Sequence, residues 1–306
     1  MSLGSLSIRL AQSAIGIVVV LTLVFFVTHM LGDPVNIALP ETAPQAQRDA
    51  LREQLGLNRP VWIQYRDFLL DAARGSFGDS FWQKVPSLEL VLGRLPATLY
   101  LAAAAAALIL PLGIGVGVLA AFRPGSLLEH IANALSIASV SVVDFWLALM
   151  MILIFSVGLG ILPTSGFGGI DHVLLPAVSL ALLHAGSLAQ VTRATVAEEL
   201  SKGYVDAARA RGVSETRVIV RHALRNALLP VITVGGSTIM NLMGGAIVAE
   251  VVFGWPGVGL LFIQAIEHRD LPLIEAGVFV TAVTVMAMNL LIDLLYVRLN
   301  PRVRVS

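Results

Sequence analysis

The sequence predicts an all-α polytopic membrane protein with six transmembrane helices. Of its 306 residues, 57% are hydrophobic and only 13% are charged, whereas soluble proteins carry about 25% charged residues. The mean hydropathy is +0.84. Several stretches extend over about 20 residues with few charges or none, which is the length that a helix needs to cross the hydrocarbon core. The formal net charge of zero gives no indication of nucleic-acid binding.

The six predicted spans lie between charged segments. They cover residues 10–32, 95–122, 130–170, 172–192, 226–249 and 276–292, and the last extends to residue 297. Asp144 is the one charged residue of the third span. The first span could instead be a signal peptide, but its uncharged stretch is longer than the apolar region of one and no small-residue cleavage site follows. We therefore interpret it as a retained helix.

Lys and Arg in the short loops predict that both termini are cytoplasmic, because these residues accumulate on the inner side of a membrane. The loop 158–172 has neither residue type, and the loop 251–272 has only Arg269. The residues predicted to lie inside are Arg9, Arg123, the basic residues between Arg193 and Arg225, Arg298, Arg302 and Arg304.

Three regions follow from this topology. Residues 1–32 form the cytoplasmic N-terminus and first span, residues 33–94 form an extracytoplasmic helical loop, and residues 95–306 form a core with the other five spans. Long loops cross regardless of charge, so the mixed charges of the loop do not affect its placement.

The outward loop is predicted to contain two helices. Pro44 can open a helix that ends before Gly56, and Asn58 can cap a second helix that ends before Gly75. One face of the second helix carries Trp62, Tyr65, Phe68 and Leu69. Because so small a pair cannot bury much apolar surface by itself, we expect a lid on the outer ends of the membrane helices rather than an independent domain.

The segment 198–225 carries too many charges to cross a membrane, since each buried charge costs about 2.5–3.5 kcal/mol. Gly203 interrupts the segment, Asp206 suits a helix N-terminus, and Gly212 suits a left-handed stop, which together predict a short helix facing the cytoplasm. We expect Ala207 and Ala208 to be exposed, where small side chains would allow close approach by a groove of another protein. A helix lying on lipid headgroups is an equally good interpretation of the pattern alone.

No catalytic or cofactor site is predicted in this chain. A P-loop needs a lysine after glycine, but Lys84 follows Gln83 and Lys202 follows Ser201. The histidines show no metal-binding spacing. We therefore expect neither an enzyme nor a metal protein.

Asp144 is the most informative candidate within a span, because an acid there is costly and usually faces a cavity or partner. We assign it, with Phe145, Trp146 and Asn241, to a translocation pathway. Two alternatives stay open: a third span that begins near Val143 and leaves Asp144 at an aqueous end, and a gradient-driven secondary transporter in which Asp144 is the ion site.

The segment from Phe253 to Gly259 predicts a tight re-entrant turn at the outer surface, since Trp255 favours interfaces and Pro256 and the three glycines favour turns. We assign Phe253, Trp255, Pro256 and Gly257 to an outer gate or a contact with a binding protein. Simple anchoring of the loop is the equally weighted alternative.

Several motifs resemble the dipeptide and oligopeptide permeases of ABC importers, the DppB and OppB kind. "DAARARG" followed by "RHALRNALLP" resembles the EAA loop of these subunits, with Asp206 in place of the usual glutamate. The other matching motifs are "HMLGDP", "LGLNRPVWIQY", "ARGSFGDS", "RLPATL", "VTRAT", "EVVFGWPGVG" and "DLLYVRLNPRVR". This sequence departs from the family near Val143, where the family tends to have a proline and has no acid at the position of Asp144.

This resemblance implies a type I ABC importer permease fold, a bacterial inner-membrane location and a division of labour. A similar second permease subunit, two ATP-binding subunits that hold ATP and Mg, and an extracytoplasmic solute-binding protein are the implied partners. The implied ATPase-coupling residues are Tyr204, Asp206, Ala207, Ala208, Arg209, Arg211 and Gly212. Cargo stays open among dipeptides, longer peptides, glutathione, nickel chelates and sugars.

Overall fold

The computed structural model describes all residues except 1–2, 31–33, 36–38, 40–41, 55, 123–124 and 300–306, and helices joined by short turns and loops make up most of the described chain. Arg123 and the residues after Leu299 lie outside this description, as do the side chains of Arg9 and Arg298. The helices are α1 Leu3–Met30, α2 Gln45–Gln54, α3 Val61–Ala73, α4 Ser87–Phe122, α5 Leu127–Ser141, α6 Asp144–Met151, α7 Ile170–Leu200, α8 Gly203–Ala210, α9 Glu215–Arg217, α10 Leu224–Val252, α11 Val258–Glu267 and α12 Leu271–Leu299. Two π-helical segments continue α6 and α9, at Ile152–Gly158 and Val218–Ala223.

Four helices are long and apolar enough to cross a membrane by themselves: α1, α4, α7 and α12. The third and fifth predicted spans are each a pair of helices joined at a bend, and counting each pair as one span gives six. The all-helical membrane fold predicted from the sequence is therefore confirmed, whereas the exact number of spans and the side of the termini stay predictions.

The third predicted span is not one continuous helix. The helix α5 ends at Ser141, Val142 and Val143 are extended, and α6 begins at Asp144 with a bend of 111°. Two consecutive β-branched residues favour the extended conformation, so they mark the break. Asp144 therefore stands at a helix N-terminus, where a carboxylate is favourable, in agreement with the alternative in which the helix starts near Val143.

The fifth predicted span starts earlier than expected and bends. Its helical path begins at Glu215, passes through the π-helical segment, and changes direction by 58° between Leu228 and Pro230. Proline inside a helix lacks the amide hydrogen for the ladder and clashes with the preceding turn, which accounts for the bend at Pro230.

Contacts within the chain define two compact units. The first comprises Met1–Pro96 and Gly257–Leu290. Its core joins side chains of α1, α3, α4, α11 and α12, including Leu21, Ala72, Val91, Leu261 and Leu273. The helix α3 of the loop 33–94 thus shares a core with long apolar helices, and its role as part of a lid stays a prediction.

Two details of the predicted loop helices are wrong. The helix α3 begins after Pro60, which has no side-chain cap, so Asn58 does not cap it. Trp62 is exposed and does not join the apolar face, although Phe68 and Leu69 do. Gly56 and Gly75 follow α2 and α3 with positive φ angles of 68° and 74°, as their predicted roles as helix stops require.

A buried carboxylate orders the first unit at the start of α12. Asp270 accepts hydrogen bonds from the Ser80 hydroxyl at 2.5 Å and the Trp82 amide at 3.0 Å, and it caps the amide of Leu273. Because Ser80 ends the "ARGSFGDS" motif, this contact gives that motif a structural role.

The second unit comprises Ala97–Pro256 and Leu291–Ser306 and contains the largest apolar cluster, formed by α4, α6, α7 and α10. Gly113 and Gly117 face Leu188 and Ala189 so closely that an added Cβ would lie 2.8 Å and 2.5 Å from them. These glycines allow close contact between α4 and α7.

Candidate functional site

The predicted cytoplasmic helix is present as α8, and one face of it packs on an apolar cluster within the chain. Val205 is fully buried and Ala208 is only 8% exposed, and both pack with Val218 and Val213. The expectation that Ala208 is exposed is therefore wrong. It lies three residues after Val205, which places both side chains on one helix face toward the segment that follows.

The C-terminal end of α8 is fixed by a left-handed glycine. Gly212 has a φ of 79°, and the amide of Val213 bonds back to the carbonyl of Ala208 at 3.2 Å. The guanidinium of Arg211 donates to the carbonyl of Ala207 at 3.2 Å. These bonds satisfy carbonyls that a helix end leaves without partners.

Charged side chains fasten α8 to the start of the next helix. Arg209 donates to both carboxylate oxygens of Glu215, at 2.6 and 3.1 Å, and to Asp206 at 3.3 Å. Hydrogen bonding to Glu215 raises the pKa of the Arg209 guanidinium. The pair therefore stays charged at any physiological pH and closes the loop between α8 and α9.

A second polar connection joins three helices, and sequence reasoning found only one of its members. Glu199, in the last turn of α7, accepts from Lys202 Nζ and from the Tyr204 hydroxyl, each at 2.6 Å. The amide of Asn226, in the first turn of α10, donates to the same hydroxyl at 3.1 Å. Burial and the hydrogen bond to Glu199 raise the pKa of Tyr204, so it remains a neutral donor. Glu199 is one of two adjacent glutamates, and nothing in the sequence distinguishes it from Glu198.

The exposed face of α8 consists of small and charged residues. Ala207 is exposed, and so are Asp206, Ala210 and Arg211 around it. The methyl group of Ala207 leaves the helix backbone accessible to a partner, while the flanking charges can give orientation. One edge of α8 is thus accessible to a partner, and the opposite face is held against the chain.

A further ion pair lies where α5 and α7 meet. Arg193 donates to Glu129 and, at 3.4 Å, to Asn133. The other carboxylate oxygen of Glu129 accepts from the amide of Gly125 at 2.5 Å. This clamp was not predicted, although Arg193 belongs to the "VTRAT" motif.

The predicted pathway residues are not gathered into one site within the described chain. Asp144 is half-buried at the start of α6, which packs against α7 and α10. Phe145 and Trp146 are about half exposed, at 53% and 54%, and Asn241 is exposed on α10. None of the four lines the apolar cavity of about 310 Å³ between α4, α5 and α7. Their assignment to a pathway stays a prediction.

The aromatic side chains of the segment after α10 are buried, which favours the anchoring alternative over a contact with a binding protein, while the assignment to an outer gate stays a prediction. Phe253 is 2% exposed and Trp255 is fully buried. Trp255 donates through Nε1 to the carbonyl of Ala97 at 2.9 Å, and its ring packs against Tyr100 and Phe167. These two aromatic side chains therefore anchor the turn and cannot contact a binding protein in this conformation.

The turn itself is as tight as predicted. Gly254 has a φ of 58° and the amide of Trp255 bonds to the carbonyl of Glu250 at 2.8 Å. Pro256 is half-buried and Gly257 is buried. Glu250, which is also buried, accepts from the hydroxyl of Thr98 at 2.6 Å.

Among the described residues, no group of three or more His, Cys, Asp or Glu side chains could hold a metal ion.

Residues 113–305 match the family model described as "Binding-protein-dependent transport system inner membrane component". Among similar proteins, the oligopeptide transport system permease protein AppB of Bacillus subtilis is 38% identical over 97% of this chain and 98% of its own. The glutathione transport system permease protein GsiC of Escherichia coli K12 is 35% identical, over 94% of each chain. The dipeptide transport system permease protein DppB of the same strain is 35% identical, over 92% of this chain and 93% of its own.

Two solved structures share the fold at low sequence identity. A chain of the MetNI methionine ABC transporter aligns with a TM-score of 0.57 and 20% identity, covering 69% of this chain and 96% of that one. A chain of an amino acid ABC transporter aligns with a TM-score of 0.52 and 19% identity, covering 69% and 94%.

Proposed function

The chain belongs to the family of binding-protein-dependent transport system inner membrane components and is a permease subunit of an ABC importer; from this premise we propose that it carries di- or oligopeptides and is driven through α8. In this proposal the chain forms half of a translocation pathway. ATP closes two partner ATPase subunits, their movement displaces α8, and the spans joined to α8 change which side of the membrane the pathway faces.

The observation that supports coupling through α8 is the combination of an exposed edge and a fixed support. Ala207 and its charged neighbours are accessible, whereas the opposite face of the same helix is buried on Val218 and bonded to Glu215 through Arg209. A helix lying on headgroups would present an apolar face to the membrane. Here the apolar face of α8 is already covered by the chain itself, so docking on a protein is the better interpretation.

The proposed complex contains a second, similar permease subunit, two ATP-binding subunits that hold ATP and Mg, and an extracytoplasmic solute-binding protein. Its place is the bacterial inner membrane, with both termini of this chain in the cytoplasm. The permease itself is not an enzyme in this arrangement.

Peptide-type cargo is supported by the relatives, which are named as oligopeptide, dipeptide and glutathione permeases. Glutathione is itself a tripeptide with a γ-linkage, so the three names share one chemistry: a small zwitterionic amide. Nickel chelates and sugars are the remaining alternatives.

Coupling can be tested with single cysteines, because the chain contains none of its own. In membrane vesicles holding the whole complex, Ala207→Cys should form disulfide cross-links with cysteines placed in the ATPase surface cleft. Ala73→Cys, at the exposed end of α3, is the matched control and should form none. Labelling of Ala207→Cys by an impermeant maleimide from the outside of intact cells would overturn the proposal.

The driving force and cargo can be tested in proteoliposomes that contain the complex and its binding protein. Uptake of labelled alanyl-alanine, a pentapeptide or glutathione should require ATP and survive a protonophore. Uptake that continues without ATP and collapses with the protonophore would favour the secondary-transporter alternative. If maltose or a nickel chelate enters and none of the peptides does, the peptide assignment is wrong.

A further inference from the structure

We propose that Glu199 is a positioning residue that makes the inner ends of α7 and α10 move together with α8. This inference rests on the proposed coupling through α8 and adds the part of the chain that transmits the movement. Nothing in the family match or in the names of the relatives assigns this residue.

The geometry places Glu199 at the meeting point of three helices. One carboxylate oxygen accepts from Lys202, in the linker between α7 and α8. The other accepts from the hydroxyl of Tyr204 in the first turn of α8, and that hydroxyl accepts in turn from Asn226 in the first turn of α10. Both oxygens are thus used, and the bonds join α7 to the linker, to α8 and, through Tyr204, to α10.

The apolar cluster beneath α8 cannot supply this connection by itself. Contacts among Val205, Ala208 and Val218 hold α8 against the chain, but they are non-directional and do not specify which groups of α7 and α10 the helix is joined to. Hydrogen bonds to a carboxylate are directional and stronger than neutral ones. The side chain of Glu199 is only 15% exposed, which reduces competition from water.

The neighbouring Glu198 provides a matched control. Its side chain is 71% exposed and pairs with Lys202 at 3.4 Å. Both glutamates lie in the last turn of the same helix and carry the same charge. An effect of net charge or helix propensity would therefore appear equally at both positions, whereas an effect of position would appear only at Glu199.

The test compares Glu199→Gln, Tyr204→Phe and Glu198→Gln in the purified complex with its ATPases. In Glu199→Gln the negative charge is lost and an amide nitrogen replaces one oxygen, so the side chain can no longer accept from both Lys202 and Tyr204 through two carboxylate oxygens. Tyr204→Phe removes a single oxygen atom and leaves the ring. Hydrogen–deuterium exchange of the peptides covering α7, α8 and α10 is measured with and without ATP and vanadate, together with the rate of ATP hydrolysis.

We expect exchange in α8 to rise about tenfold in Glu199→Gln and Tyr204→Phe, in line with the loss of a charged hydrogen bond. The response of α7 and α10 to ATP and vanadate should be lost while ATP hydrolysis continues. Glu198→Gln should behave like the unmodified chain. A residue that only stabilises the fold would not separate hydrolysis from the response of the spans.

Two results would overturn the inference. One is a normal response of α7 and α10 to nucleotide in Glu199→Gln. If the Glu199→Gln complex falls apart, the deciding result is that of Tyr204→Phe, which retains the ring. A normal response of α7 and α10 to nucleotide in Tyr204→Phe would then overturn the inference. Failure of the proposed function gives a different result: α8 of the unmodified chain would then show no protection when the ATPases bind.

Discussion

The helix α8 and the turn from Phe253 to Gly257 were both predicted as contact surfaces, and they differ in which side chains they present. In α8 the apolar residues point into the chain and the small and charged residues point out. In the turn, Phe253 and Trp255 point into the chain. The comparison teaches that the aromatic side chains of the turn are buried and anchor it, whereas the charged segment keeps one helix edge exposed and accessible to a partner.

The two regions also depend on different forces. Trp255 combines apolar contact with one hydrogen bond to Ala97. The helix α8 has a smaller apolar cluster and depends on ion pairs, including that of Arg209 with Glu215. Substitutions should therefore mainly affect stability in the turn and mainly affect coupling in α8.

The largest effect on stability is expected for Trp255→Ala. Removing a fully buried tryptophan leaves a cavity and removes its hydrogen bond to the carbonyl of Ala97, which should destabilise the chain by about 3–5 kcal/mol. Calorimetric unfolding of the purified chain in detergent measures this. Trp146→Ala, at a tryptophan that is 54% exposed, is the control and should change stability by about 0.5 kcal/mol at most. Equal losses in the two variants would show that Trp255 is not an anchor.

The next effect separates the two neighbouring alanines of α8. Ala208→Leu inserts volume against Val205 and Val218 and should destabilise the chain by about 1–3 kcal/mol. Ala207→Leu adds the same atoms on the exposed side and should change stability by about 0.5 kcal/mol at most. The same calorimetric measurement applies. If Ala208→Leu unfolds at the temperature of the unmodified chain, its burial is not maintained in solution.

The sequence predicted elements well where one local signal dominates. Uncharged stretches of about 20 residues located α1, α4, α7 and α12. Gly212, the glycine after α8, has the left-handed conformation that was predicted for it. The break at Val142 and Val143 was foreseen only as an alternative, because the hydropathy of residues 130–170 does not change across it.

What the sequence did not predict depends on partners that are distant along the chain. Glu250 meets Thr98 and Asp270 meets Ser80, over separations of more than 150 residues. The predicted exposure of Ala208 was wrong because its side chain packs on Val218, which lies beyond the end of α8. The pattern of α8 alone indicates an amphipathic helix but does not say which protein segment covers its apolar face.

The smallest effect is expected at the ion pair that closes the loop after α8. The side chains of Arg209 and Glu215 are 39% and 43% exposed, so Arg209→Gln should cost about 0–1 kcal/mol at low salt. Because the Debye length falls to about 3 Å at 1 M salt, the loss should shrink there. Unfolding midpoints at low and high salt measure this, with Arg66→Gln as an exposed control in the other unit. A loss that persists at high salt would mean that the aliphatic part of Arg209 supports α8 by packing, and α8 would then resemble the aromatic turn more closely than its charges indicate.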